Sequence, residues 1–220
     1  MSYVISALIG FILGSLPTAY LLTKKVKGID ITKEGSKNVG AFNTYDVTKS
    51  KLLGIIVFII DFAKGFFAVL IVIILFPSDP ILPMLALFCA VLSHCFNVWI
   101  KFKGGRGLAT TAGGLIIVSI PVLCLWLLLW VISFAYKKNI IFSNFVTTFL
   151  VGILCITNNE TLLKWSENFQ IIRNDLTDQV ILFTGLFILL CLVILVKHIS
   201  PIREWIATNK NIRNKNHERL

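Results

Sequence analysis

The sequence predicts an all-α integral membrane protein of about seven transmembrane helices, one of them short, with its N-terminus outside and its C-terminus in the cytoplasm. Three observations carry that expectation. Of 220 residues, 56% are apolar and only 15% are charged, against about 45–50% and 25% in a soluble domain, and mean hydropathy is +0.85. The apolar residues fall into runs that approach or exceed the roughly 20 residues a helix needs to cross a bilayer. Lys and Arg crowd into the connections on one side. Together these exclude a large soluble domain.

The first run, Tyr3–Leu22, has no basic segment before it and no small-residue cleavage site after it, so it reads as a retained span and not a signal peptide. Leu52–Phe76 and Ile81–Ile100 follow, separated by the turn Pro77-Ser78-Asp79-Pro80. Leu108–Tyr136 is apolar for 29 residues, interrupted by Ser119-Ile120-Pro121. Ile140–Ile156 and Asp178–Val196 complete the set. The 29-residue stretch decides the count. Broken at Pro121, it makes seven spans, with 18 of the 21 basic residues on one side and two on the other. Unbroken, it makes six, and the split falls to 12 against eight. Cytoplasmic loops are the ones enriched in Lys and Arg, which favours seven. The fourth helix is then only Leu108–Ile120, about 20 Å long against a core of about 30 Å. A short membrane helix of this kind is expected to line a polar cavity. On this reading residues 1–196 form the membrane domain, and residues 197–220 are a basic cytoplasmic tail.

Polar residues are distributed unevenly. The outer connections are short or acidic, with Asp79 in one and Glu160, Glu167 and Asp175 in another. The glycine-bearing polar segments all fall on the inner face, in the loops 23–51 and 101–107 and at Lys197-His198. In the first loop, Ser36, Asn38 and Asn43 offer hydroxyl and amide groups, while Gly35 and Gly40 let backbone approach a ligand. In the second, Lys103-Gly104-Gly105-Arg106-Gly107 opens a helix. Successive glycines can form a nest of N–H groups, and a helix N-terminus adds partial positive charge. Arg106 suits bidentate phosphate contact, Lys103 acts as a point charge, and Thr110 adds a hydroxyl one turn on. This is a phosphate cradle in chemistry, though not a Walker loop.

Asp61 and Lys64 lie three apart on one helix face inside a span, where charges must pair or turn inward, so they are expected to pair with each other as scaffold. His94, near the inner end of its span, is expected to be hydrogen-bonded structure, and His198 lies closer to the polar surface. The five cysteines, Cys89, Cys95, Cys124, Cys155 and Cys191, sit in apolar runs without a CxxC pair. They are expected to be small buried hydrophobes, with no disulfide, no metal site and no cofactor. The net charge of +10 belongs in part to topology, and no nucleic-acid partner is expected.

Ser36-Lys37-Asn38-Val39-Gly40-Ala41-Phe42-Asn43 is similar to the S-G-N-x-G-A-T-N segment of the bacterial acyl-phosphate:glycerol-3-phosphate acyltransferases, the PlsY family. Gly14-Ser15-Leu16-Pro17-Thr18-Ala19-Tyr20 resembles their G-S-I-P-x-x-Y, and Asp61-Phe62-Ala63-Lys64-Gly65 their D-x-x-K-G. His94-Cys95-Phe96-Asn97-Val98-Trp99, followed by Phe102-Lys103-Gly104-Gly105-Arg106-Gly107-Leu108-Ala109-Thr110, resembles H-x-F-P-V-W-x-x-F-K-G-G-K-G-V-A-T. The blocks occur in the family's order along nearly the whole chain.

The resemblance implies a seven-span inner-membrane enzyme with its site on the cytoplasmic side. Its substrates would be acyl phosphate and glycerol 3-phosphate, and its product lysophosphatidic acid for phospholipid synthesis. Ser36, Asn38 and His198 become the candidate catalytic residues. Asn43, Lys103, Gly104, Gly105, Arg106, Gly107 and Thr110 become the candidate phosphate ligands, and Asp61, Lys64 and His94 remain structural. There are departures. Lys37, Phe42 and Asn97 replace a glycine, a threonine and a proline. Asp46 stands where the family has arginine. After His198, Ile199, Pro201 and Lys210 replace arginine, asparagine and glutamate. Two other readings stay open on sequence alone: a homologue that binds acyl phosphate or lipid without turnover, motivated by these departures, and a small anion transporter, motivated by the broken fourth helix.

Overall fold

The computed structural model describes residues 1–157 and 180–217, with side chains through residue 210. Among these residues there are nine α-helices and no strand: α1 (Ser2–Gly14), α2 (Thr18–Lys27), α3 (Ala41–Thr48), α4 (Lys51–Leu75), α5 (Ile81–Cys95), α6 (Leu108–Val118), α7 (Ile120–Lys137), α8 (Ile140–Thr157) and α9 (Val180–His217). Six segments are long and apolar enough to cross a membrane: Ser2–Lys27, Lys51–Leu75, Ile81–Ile100, Ile120–Lys137, Ile140–Thr157 and Val180–Lys210. The 11-residue α6 is apolar but shorter. The acidic connection with Glu160, Glu167 and Asp175, and the start of the last apolar run at Asp178, lie outside the described residues.

Three of the expected runs are interrupted, each for a local reason. The first breaks at Ser15-Leu16-Pro17 and then continues past Leu22 to Lys27. Pro17 has no N–H to give, and its ring disfavours helical backbone at Leu16. Carbonyls at the break are taken by other segments: Lys64 Nζ donates to Leu16 O at 2.7 Å, and Asn97 Nδ2 to Ser15 O at 2.6 Å. The third run is helical only to Cys95, and a 3-10 turn, Val98–Ile100, follows Asn97, whose side chain accepts from the Trp99 N–H. The long fourth stretch breaks at Ser119 and not at Pro121. Ser119 is extended, with φ −161° and ψ 90°, and its hydroxyl accepts from the Val122 N–H. Pro121 sits in the first turn of α7, where a missing N–H goes unused. Gly107, Leu108 and Lys138 line one cavity, so α6 and α7 form a hairpin that returns to the end where it started.

Close helix contacts follow small residues. Ser6, Gly10 and Gly14 of α1 meet Leu82, Ala86 and Ala90 of α5 in parallel register, and Ser6 Oγ donates to Leu82 O at 2.6 Å. Small residues at every fourth position let membrane helices approach backbone to backbone. Gly65 of α4 lies against the Thr110 carbonyl of α6, and Gly113 of α6 against the Phe62 carbonyl. The main core joins Leu87 and Val91 of α5, Leu115 of α6, Val151 of α8, and Leu190 and Ile194 of α9. α7 lies outermost. Val122 is its buried residue, while Leu127, Leu128 and Val131 are exposed, the pattern of a lipid-facing helix. Cys124 is therefore exposed, contrary to expectation, Cys89 is half-buried, and Cys95, Cys155 and Cys191 are buried.

Asp61 and Lys64 do pair, at 2.5 Å, with both side chains almost fully buried. Removing one member of a buried pair leaves an uncompensated charge, whereas removing both does not. Lys64→Met is expected to lower stability by about 3–5 kcal/mol, and Lys64→Met with Asp61→Leu by much less. Denaturant unfolding of the detergent-solubilised variants measures both, and equal losses would contradict the pairing.

Candidate active site

At the end where α4 and α6 begin and α5 and α7 finish, a cavity of about 520 Å³ opens among several segments. The loop before α3 contributes Ser36, Asn38 and Gly40. The loop before α6 contributes Arg106 and Gly107. α4 and α5 contribute Asp61 and His94, the α7–α8 turn contributes Lys138 and Asn139, and α8 contributes Asn144.

The first loop is shaped by Asn43. Buried at the start of α3, its Oδ1 accepts from the Ser36 N–H at 2.9 Å, and its Nδ2 donates to Glu34 O at 3.1 Å and Asn38 O at 3.0 Å. Asn43 does not line the cavity. Its amide holds the loop so that Ser36 and Asn38 do. Lys37, in the family's glycine position, sits in left-handed backbone with φ 58°, where glycine is the unstrained choice.

The second loop is seated on α5. The Gly105 N–H donates to His94 O at 3.1 Å, and Gly104 O accepts from Val39 N at 3.4 Å. Gly104 packs against the carbonyls of His94 and Cys95, and Gly105 against the ring of His94, so these glycines serve close packing as well as any anion. Gly107 takes φ +81° and turns the chain into α6. The first residues of α6, Leu108 and Ala109, face the cavity, where early helical N–H groups lack intrahelical partners. Arg106 is half-buried on the cavity wall. Burial pulls its pKa below the ordinary guanidinium value, and Glu204 partly opposes that.

The remaining predicted residues fall elsewhere. Lys103 is exposed and off the cavity wall, and Thr110 is buried with its hydroxyl unpartnered among the described residues. His198 is fully buried in α9. Its Nδ1 lies 2.8 Å from Ile194 O, and its Nε2 has no hydrogen-bond partner among the described residues. Asp61 and His94, expected as scaffold only, both reach the cavity, with His94 Nδ1 at 3.8 Å from Asp61 Oδ1. Asp46 instead pairs with Lys49 at 2.9 Å beside a separate polar depression, so this departure puts no carboxylate on the cavity wall. Lys138, Asn139 and Asn144 escaped sequence reasoning. The short basic turn Lys137-Lys138-Asn139 was the available signal, but only folding carries it to Ser36.

A helical, multi-pass membrane protein with a basic, glycine-framed cavity at one end is a class that comparison with known proteins makes specific. Residues 4–208 match the family model described as glycerol-3-phosphate acyltransferase, and the chain belongs to that family. It is 34% identical over 199 residues to the glycerol-3-phosphate acyltransferase of Thermotoga petrophila, covering 83% of this chain and 99% of the relative. It is 33% identical over 192 residues to that of Wolbachia pipientis, covering 87% and 88%. Among solved structures it resembles PlsY (YgiH), an integral membrane glycerol 3-phosphate acyltransferase, in its glycerol 3-phosphate form. The TM-score is 0.74 at 26% identity, over 94% of each chain.

Asn43→Ala would remove all three bonds that tie down residues 34–38. Each of these part-buried bonds contributes about 0.5–1.5 kcal/mol net, and all three act on one short stretch. Trypsin is expected to cut after Lys33 or Lys37 much sooner in the variant, read by mass spectrometry of detergent-solubilised protein. Unchanged cleavage would remove Asn43 from this role.

Proposed function

We propose that this acyltransferase uses acyl phosphate as donor, transferring its fatty acyl group to the sn-1 hydroxyl of glycerol 3-phosphate to give lysophosphatidic acid and inorganic phosphate. One observation carries the reading. The polar cavity with Arg106 and Lys138 shares Leu108 with an apolar crevice lined by Leu115, Trp126, Val151 and Leu190. A molecule with a phosphate at one end and an alkyl chain at the other suits that junction.

The donor is already activated, so no covalent acyl-enzyme is needed. The glycerol hydroxyl oxygen attacks the acyl carbon, and the bond from that carbon to the phosphate oxygen breaks. The electron pair leaves with phosphate, and the hydroxyl proton passes to a substrate phosphate oxygen. The chain supplies position and charge. Arg106 and the N-terminus of α6 hold one phosphate, and Lys138 is the second cation on the wall. Ser36 and Asn38 orient the acceptor, while His198, buried in α9 with Nε2 unpartnered among the described residues, stands behind the wall. Asn43 and the glycines at 104, 105 and 107 shape the walls, with Lys103 and Thr110 outside direct contact.

Seven crossings, with α6 and α7 as two of them, put the loops 23–51 and 101–107, the turn at Lys137-Lys138 and the end of α9 on one face. That face is the cytoplasmic side of the inner membrane, because it gathers the Lys and Arg residues. The N-terminus is then outside. At 38 residues and about 1.5 Å each, α9 is far longer than a core of about 30 Å, which supports a membrane domain through residue 196 and a tail from Lys197 in the cytoplasm.

Purified protein is expected to acylate glycerol 3-phosphate from acyl phosphate and not from acyl-CoA, and to restore growth of a strain lacking its own enzyme. Use of acyl-CoA alone would overturn the donor assignment. Arg106→Ala is expected to raise the apparent KM for a phosphate substrate about tenfold or more, the loss of a charged hydrogen bond, while Lys103→Ala has a smaller effect. Unchanged kinetics in Arg106→Ala would remove it as a ligand. For orientation, Lys215→Cys is expected to react with an impermeant maleimide in inverted vesicles and not in intact cells, and the reverse result would overturn the topology.

A further inference from the structure

We propose that the imidazole of His94 is the seat on which the glycine-rich loop 104–107 is held, which makes His94 a positioning residue for the phosphate that the loop receives. The inference rests on the reading of that loop as a phosphate cradle. Three contacts argue for it. A side chain at Gly105 would run into His94 Nε2, Cε1 and Cδ2, so the space beside Gly105 is filled by the ring. The same residue's carbonyl accepts the Gly105 N–H at 3.1 Å, fixing the loop backbone from the other direction. Asp61 backs the ring from the other side. Nδ1 lies 3.8 Å from Asp61 Oδ1, an electrostatic contact longer than a hydrogen bond, and that carboxylate is held by Lys64, which also reaches Leu16 O.

The ring turns its Nδ1 side toward the Asp61 carboxylate and its opposite edge toward Gly105. The next residue along the loop is Arg106, on the cavity wall. A shift of the Gly105 backbone therefore moves the guanidinium. Misplacement by about 1 Å can cost roughly a hundredfold in a positioned reaction. His94 thus acts through the loop, and neither proton transfer nor contact with the reacting atoms is asked of it. This also accounts for Asp61 and His94 reaching the cavity while serving as scaffold.

The test is steric complementation between His94→Ala and Gly105→Ala. KM and kcat for glycerol 3-phosphate, and Tm in detergent, are measured for both single variants and the double variant. Gly105→Ala is expected to raise KM about tenfold or more, with a smaller fall in kcat, because the new methyl displaces the ring. His94→Ala is expected to raise KM in the same way. In the double variant the methyl occupies the space the ring leaves, so KM is no higher than in His94→Ala alone, and Gly105→Ala lowers Tm only when His94 is present. Multiplied KM effects with additive Tm losses would overturn the proposal, as would His94→Ala lowering Tm with KM unchanged. If the wild-type protein transfers no acyl group to glycerol 3-phosphate, the functional reading fails, and the Tm coupling still decides whether the ring is the seat.

Discussion

The buried pair between Asp61 and Lys64 is the constraint on which the working end of the molecule depends. A charge within a span must be compensated by protein, because lipid offers nothing in return. Lys64 satisfies its ammonium with Asp61 and with the Leu16 carbonyl. That carbonyl is available because Pro17 interrupts the first span. The carboxylate of Asp61 in turn faces the ring of His94, and the ring backs the loop that carries Arg106. A helix break in α1–α2, an ion pair in α4, a histidine in α5 and the start of α6 therefore form one connected set of contacts.

Backbone proximity makes this network possible. The small residues of α1 bring it against α5, and Gly65 and Gly113 do the same for α4 and α6. With these helices close, the N-terminus of α6 ends among side chains from both loops and not in lipid. The hairpin at Ser119 then sends the chain back along α7, delivering Lys138 and Asn139 to the same cavity. The short length of α6 is tolerated because it is covered on most sides, with Thr110, Thr111, Gly113, Gly114 and Leu115 all buried.

The departures from the family's motifs take on different weights in three dimensions. Asp46 pairs with Lys49 away from the cavity, so it removes a cation without adding a repelling charge there. Asn97, in place of proline, donates to the Ser15 carbonyl and so helps close the break in the first span. Pro201 lies inside α9, where it removes one backbone donor without ending the helix. The cavity's own cations, Arg106 and Lys138, are present.

The sequence by itself determined the class of the molecule. An all-helical membrane chain, the interruption of the long fourth stretch within two residues of its true place, the Asp61–Lys64 pair and the glycine-rich loop as a helix start were all legible. Each rests on composition, on neighbours a few residues apart, or on backbone preferences of Pro, Ser and Gly, and these act locally. Family motifs legible in Ser36–Asn43 and His94–Thr110 pointed to the acyltransferases. What tertiary structure alone decided was which side chains share the cavity. Asn43 became a clamp for its own loop, Lys103 fell outside, Asp61 and His94 reached the wall, and Lys138 and Asn144 joined them. The reason is physical. Which residues meet across the bundle depends on how closely helices pack and where each is rotated, and that is fixed by contacts between segments tens of residues apart, which leave no periodic trace along the chain.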